Sequence, residues 1–285
     1  MRKGFVYTIL FTALFLVLLM IARIYLLSEG SMGLSKAEKG SVDSAGLVMA
    51  DLSLDLLHFF DLRIESKTLP AASRVNLTFH NTIPSDLAYP GTEFGEWTAF
   101  VENDFSEKTN LNISMNYVDF QLHPTIVVSP YNITYGYSAL DRRRLVINGS
   151  SAITNYSIVM RLSRNINETN ASNWSWSATP TSLFIAFDIE DSEGERILIN
   201  GQEAGYIDPS VYSSFTLSGT PSGRMVVEAG SLPGYGSHSL AFNASDLRAR
   251  LDTTLLLNGT DGVTVFAPIW VAVNEQQSNL VLFRG

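Results

Sequence analysis

Cysteine is absent from this 285-residue chain. That excludes disulfides, thiolate chemistry and Cys-ligated zinc, so whatever folds here is held by its hydrophobic core. Histidine is scarce. The four, His58, His80, His123 and His238, are isolated in sequence, with no second histidine at ligand spacing. Catalytic signatures are missing as well: no Gly-x-Ser-x-Gly elbow, no Walker A loop, no dinucleotide fingerprint and no His-Glu-x-x-His. The chain therefore reads as a non-enzyme. Carboxylate pairs that meet only in space need no local signature, which keeps an extracellular hydrolase as a third reading. Positive charge is also in short supply, with 19 Lys and Arg against 28 Asp and Glu and a net charge of −9. Such a balance speaks against nucleic acid and against polybasic binding to anionic lipid.

What the chain does have is a long apolar run at its start. Arg2 and Lys3 precede Phe5 to Ile21, followed by Ala22, Arg23 and Ile24-Tyr25-Leu26-Leu27. As a helix this run covers roughly 26 Å, close to the thickness of a bilayer's hydrocarbon core. Residues 1–27 are predicted to span the membrane. Two basic residues on the short N-terminal side keep Met1 inside and send everything after Leu27 out. Arg23 reaches the outer headgroups along its apolar stem. A cleaved secretory signal would need a shorter core and a better site than Ser28-Glu29-Gly30. With Arg2 and Lys3 inside, the exported remainder carries −11.

A second compartment signal lies in the asparagines. Asn-x-Ser/Thr sequons occur at Asn76, Asn112, Asn132, Asn148, Asn155, Asn167, Asn170, Asn173, Asn243 and Asn258, ten of 18 asparagines. Chance placement of Ser and Thr would produce roughly three. The excess predicts N-glycosylation outside the membrane.

The opening Arg2-Lys3-Gly4-Phe5, a basic pair and a glycine before an unbroken apolar helix, resembles the class III signal of archaeal type IV pilin-like, membrane-anchored surface proteins. The resemblance implies cleavage by a dedicated peptidase between Gly4 and Phe5. It extends to the general layout: anchor helix, amphipathic helix, then a hairpin bearing a sequon. It also implies an anchor that either assembles laterally or tethers.

After the anchor, residues 28–60 read as a helical stalk interrupted by Gly30, Gly33, Gly40 and Gly46. Leu47, Ala50, Leu54 and Leu57 recur at helical spacing and are expected to form its apolar face, with Asp51, Asp55 and His58 on a solvated one. From Asp61 the period changes to two. Residues 61–65 and 74–79 predict a hairpin turned at Leu69-Pro70-Ala71-Ala72. A short helix follows, its aromatic side (Phe94, Trp97, Phe100, Val101, Phe105) expected in the core. After Asn110 strand signals run to the end, among them Ile153–Leu162 as one strand and, either side of Pro268, Val263–Phe266 and Ile269–Val273 as two. The fold class is thus mainly β: one transmembrane helix, an amphipathic helical stalk, and a β-sandwich-like ectodomain over 61–285 with one short helix and a candidate sub-boundary at 201–209.

Three features could carry chemistry. Asp188, Glu190, Asp191, Glu193 and Glu195 crowd five carboxylates around Gly194, an oxygen-rich arrangement of the kind that binds calcium, although Asp191 to Glu195 also makes a good hairpin turn. Otherwise no cofactor is implied. Trp174 and Trp176 lie in a sequon-rich loop from Ser163 to Thr181, where they either stack on sugars or partners or pack inward. Arg142-Arg143-Arg144 is an anion-binding candidate that in an acidic ectodomain is better explained by pairing with carboxylates. The expected protein is a glycosylated, single-pass surface protein, pilin-like or tethered, whose partners are the membrane and either itself or other surface proteins. A carbohydrate-binding adhesin is the alternative.

Overall fold

The computed structural model describes residues 45–57, 63–69, 74–84, 93–117, 125–138, 141–179, 183–259, 262–274 and 276–284. The predicted anchor, the Gly4–Phe5 junction, most of the stalk and His58 lie outside them. No helix among the described residues is long and apolar enough to cross a membrane. The chain divides into Met1–Val48 and Met49–Gly285. The second unit holds the sheets.

Helix α1 covers residues 45–57. Leucines at 52, 54, 56 and 57 leave its facing ambiguous by periodicity alone, because two stripes satisfy a 3.6-residue repeat. Leu52 and Leu56, four apart, are the covered pair, with Ser53 beside them, while Leu54 is 64% exposed. The expected Leu47-Ala50-Leu54-Leu57 face is therefore corrected. Asp51 and Asp55 are exposed, as expected of a solvated face.

Helix α2 starts at Glu93–Phe100, passes through a π-helical turn at Val101–Phe105 and ends at Ser106–Thr109. Asn110 closes it in the left-handed conformation (φ 53°), a helix-ending role asparagine tolerates better than most residues. The π-turn widens the spiral by one residue, so the aromatic spacing does not stay on one face. Val101 and Thr98 are buried, Trp97 and Phe105 are half-buried, and Phe100 points out at 44% exposure. Only part of the expected aromatic core face is inside.

Seventeen strands follow from period-two patterning among the described residues: β1 (Arg63–Leu69), β2 (Arg74–Ile83), β3 (Ile113–Asn116), β4 (Thr125–Ser129), β5 (Ile133–Ser138), β6 (Asp141–Asn148), β7 (Ile153–Leu162), β8 (Ile166–Asn173), β9 (Leu183–Glu190), β10 (Arg196–Ile197), β11 (Ala204–Ile207), β12 (Ser213–Gly219), β13 (Arg224–Gly230), β14 (Ser239–Ser245), β15 (Ala249–Asn258), β16 (Thr264–Val273) and β17 (Gln276–Arg284). The smaller sheet has the order β1-β2-β15-β7-β9-β10, with β11 also on β9. The larger has the order β17-β16-β4-β5-β6-β14-β13-β12-β8, with β3 on β16. Both sheets draw strands from both halves of the chain. The stretch 201–209 contains β11, hydrogen-bonded into the smaller sheet through β9.

Most pairings are antiparallel. The exception is β7 with β9, which run parallel because the chain between them leaves for the larger sheet as β8 and then returns. Strand β16 changes partner along its length, from β4 at Thr264–Phe266 to β3 at Trp270–Val273. Pro268 stands at that change, where no ladder bond is asked of its nitrogen.

The sheets face each other across the residues that alternate inward. In β2 these are Val75, Leu77, Phe79, Asn81 and Ile83; in β9 they are Leu183, Ile185, Phe187 and Ile189. Each fully covered Leu, Ile or Phe contributes about 1.5–3 kcal/mol. Two clusters bridge the layers. On one side Phe79 stacks on Tyr135 of β5 at 4.2 Å. There the Asn81 amide donates to Tyr137 Oη at 3.1 Å and accepts from Tyr135 Oη at 2.6 Å. On the other side Trp174 packs edge-to-face on Phe187 (5.5 Å) and Phe215 of β12 (5.2 Å).

Candidate functional site

All ten sequon asparagines are among the described residues, and their settings differ. Asn112, Asn132, Asn167, Asn170, Asn173 and Asn258 are exposed; Asn76, Asn148, Asn155 and Asn243 are half-buried. Three of the exposed ones sit together on β8, which closes one edge of the larger sheet against β12. Asn132 lies in a turn at φ 54°. The Asn148 amide oxygen is already committed. It accepts from the Gly236 N–H at 3.0 Å and from Ser239 Oγ at 3.4 Å, fastening the loop that precedes β14. Gly149 must be glycine there, since a Cβ would fall 1.9 Å from the His238 carbonyl oxygen.

Trp174 and Trp176 do not form an open platform. Trp174 is 3% exposed, wedged between the sheets, which is the inward-packing one of its two readings. Trp176 is half-buried and donates from Nε1 to the Ile199 carbonyl at 3.0 Å. Its ring rests on Gly205, where a Cβ would come within 2.7 Å. The chain enters this position from an edge strand, and only the tertiary placement of β9 and β12 turns it inward. The tryptophan that does face solvent is Trp270, 54% exposed on the outer side of β16. Its alternating neighbours in an apolar strand gave no sign of that.

The acidic stretch separates into two parts. Asp188 and Glu190 lie on the outer face of β9 and share Arg161 of β7, at 3.1 and 2.9 Å. Asp191 turns inward and caps the following turn. Its Oδ1 accepts from the Glu193 and Glu195 N–H groups at 2.9 and 3.0 Å, and its Oδ2 from the Ile166 N–H at 3.3 Å. Burial opposes ionisation of Asp191, but these backbone donors together outweigh it and hold its carboxyl below the usual range. Glu193 and Glu195 are exposed at the turn. Among the described residues no group of three His, Asp or Glu side chains is arranged to hold a metal ion.

Arg144 pairs with Glu228 at 3.1 Å, and the Tyr212 hydroxyl donates to the other oxygen of that carboxylate at 2.9 Å. That engages one member of the arginine triplet in the way an acidic body predicts.

Two arrangements were invisible in sequence because their members are far apart in it. His80 Nδ1 lies 2.8 Å from Asp252 on the outer face of the smaller sheet, and Glu65 stands 4.0 Å from Nε2. The nearby Thr78 and Thr254 hydroxyls bond each other at 2.9 Å. His80 Nε2 is buried without a hydrogen-bond partner, so no hydroxyl is bonded to it as a nucleophile would be to its base. The second is a groove of about 520 Å³ on the same face, among whose walls are Arg74, Asn155, Phe184, Tyr206, His238 and Leu256. Cross-strand register explains it: Asn76 pairs with Leu256, Leu256 with Asn155, Asn155 with Phe184, and Phe184 with Tyr206. One row of side chains across five strands thus holds two sequon asparagines and two aromatic rings. Burial holds His238 below its ordinary pKa, favouring the neutral ring.

The chain matches no protein-family model, no curated protein and no solved structure.

Proposed function

We propose that this is a single-pass, N-in, glycosylated cell-surface protein whose β-rich body works outside the membrane by non-covalent assembly or interaction. The supporting observation is the combination of an apolar 1–27 run with ten sequons, six of them on exposed asparagines and three on one edge strand. Glycans along β8 would cover backbone groups that otherwise invite another strand. The body's acidity directs it toward protein or saccharide partners and away from nucleic acid. The pilin-like version adds cleavage at Gly4–Phe5 and lateral assembly through the anchor; the tethered version needs neither.

Intact-mass and N-terminal peptide analysis of protein taken from its native membrane tests this. A chain starting at Phe5 with occupied sequons supports the pilin-like version, and an intact Met1 supports the tether. A chain recovered without residues 1–27 and without glycan overturns both.

The carbohydrate-binding alternative is favoured by a different residue from the pair first suspected, namely Trp270. Loss of glycan-array binding in Trp270→Ala, with Trp176→Phe unaffected, would support it.

A further inference from the structure

The groove on the outer face of the smaller sheet is lined by a sequon asparagine beside two aromatic rings. Asn155 stands on β7 directly opposite Phe184 of β9 in the parallel register, with both side chains on the outer face. Adjacent strands lie ~4.8 Å apart, so a sugar attached to Asn155 begins one strand from the Phe184 ring. Tyr206 continues the aromatic wall, its ring 5.2 Å from Phe184 and edge-on to it. Leu256 of β15 flanks Asn155 on the other side. The faces of aromatic rings attract the polarised C–H groups of a pyranose, and the polar rim at Arg74 and His238 matches its hydroxyls. The Asn155 amide oxygen is buried without a hydrogen-bond partner, so no protein group already claims this amide oxygen.

We propose that Asn155 is glycosylated and that the first sugars of its glycan lie in this groove against Phe184 and Tyr206, covering the apolar end of the sheet. The proposal rests on the reading that the body is exported and meets a glycosyl donor. In the transfer, the Asn155 amide nitrogen forms a bond to the anomeric carbon of a lipid-phosphate-linked oligosaccharide. The anomeric carbon–oxygen bond to phosphate breaks, and the lipid phosphate and the amide proton leave. Transfer to the emerging chain, before β7 is closed in, gives the enzyme access to a residue that is half-buried afterwards. The remaining sequons divide by the same geometry. Exposed Asn167, Asn170 and Asn173 carry glycans that project into solvent, with no comparable wall beside them.

The test is glycopeptide mass spectrometry of the native protein combined with hydroxyl-radical footprinting of the full chain and of Ser157→Ala, which removes the sequon and leaves Asn155 in place. Ser157 is exposed on the same face, so the change is mild. Ser175→Ala, which removes the Asn173 sequon, is the control. The expected result is occupied Asn155 and at least a threefold rise in labelling of Phe184 and Tyr206 in Ser157→Ala, with no rise in Ser175→Ala. Unmodified Asn155 beside occupied Asn167, Asn170 and Asn173 overturns the proposal and leaves the export reading standing. Occupied Asn155 with unchanged labelling also overturns it, because the glycan then points away. Sequons that are all unmodified overturn the glycosylation reading, and the proposal with it.

Discussion

The two clusters that join the sheets are built from different physics. On the β2–β5 side, Phe79, Asn81, Tyr135 and Tyr137 form a stacked and hydrogen-bonded set, with Tyr137 Oη also donating to the Thr82 carbonyl at 3.1 Å. On the β9–β12 side, Trp174, Phe187 and Phe215 meet edge-to-face, with ring centroids 5.2–5.5 Å apart. The first is directional: each donor has a designated acceptor, and a shifted register would leave buried polar atoms unpaired. The second is not, and several packings would satisfy it nearly as well. The tyrosine side therefore specifies how β2 sits over β5, and the tryptophan side supplies bulk where the chain crosses from β8 to β9. Burial is the main reason that the Tyr135 hydroxyl is held far above its ordinary pKa, with Tyr137 and Asp252 adding to it, so it stays a neutral donor.

Removing the bulk should cost most. Trp174→Ala is expected to lose about 3–5 kcal/mol, as large core truncations do. Urea unfolding measures it. A loss below ~1 kcal/mol would mean that the ring is dispensable filler and would collapse the contrast. Next comes the directional side. Asn81→Ala leaves the Tyr135 hydroxyl without its acceptor and should cost about 1–3 kcal/mol. The sharper comparison is Asn81→Ala in a Tyr135→Phe background. If the network is directional, the double change costs less than the sum of the single ones, whereas additive losses would reduce it to ordinary packing.

Much of this body could be read from residue order alone, and the failures have physical causes. The predicted strand Ile153–Leu162 coincides with β7, because its inward alternation runs from Tyr156 to Leu162 and breaks only at Thr154–Asn155, where the register with β15 shifts. β8 went unrecognised as a strand: Ile-Asn-Glu-Thr-Asn-Ala-Ser-Asn buries Ala171 alone, and an edge strand exposed on nearly all sides has no period to detect. β11, four residues from Ala204 to Ile207, hid in a stretch whose glycines resembled a linker. Pro268 suggested two strands where the sheet has one, because β16 exchanges partners there without ending. Trp174 stays open between an accessible and an inward ring in the sequence for a related reason. Its sequon-rich surroundings are exposed, but the side chain answers to Phe187 and Phe215, 13 and 41 positions on. The groove at Asn155 and the His80–Asp252 pair depend wholly on register, which local pattern does not encode.

At the other end of β8 from Trp174 stands a charged tie that pH isolates. Asp191 ties the end of β9 to the start of β8 through the Ile166 N–H. Its folded pKa is lowered, so its contribution is present above the unfolded value of about 3.9 and is lost as pH falls through the folded one. Hydrogen exchange at Ile166 and Glu193 should accelerate several-fold in that acidic window while the Tyr135 side holds. In Asp191→Asn the pH dependence disappears, because the neutral amide cannot be protonated there, and its NH2 faces the Ile166 N–H. Equal acceleration on both sides would show one cooperative unit and no local tie.

The smallest effect belongs to charges that join nothing across the layers. Arg161 reaches Asp188 and Glu190 on the outer face, with its side chain 40% exposed, so both pairs lie where water and salt screen them. Arg161→Ala should cost no more than ~1 kcal/mol, and raising salt should shrink the difference from wild type. The bonded strands β7 and β9 remain held by their ladder whether or not the guanidinium is present. If Arg161→Ala instead costs as much as Asn81→Ala, the outer face is structural in its own right, and the division between bridging clusters and surface pairs would have to be redrawn around β7.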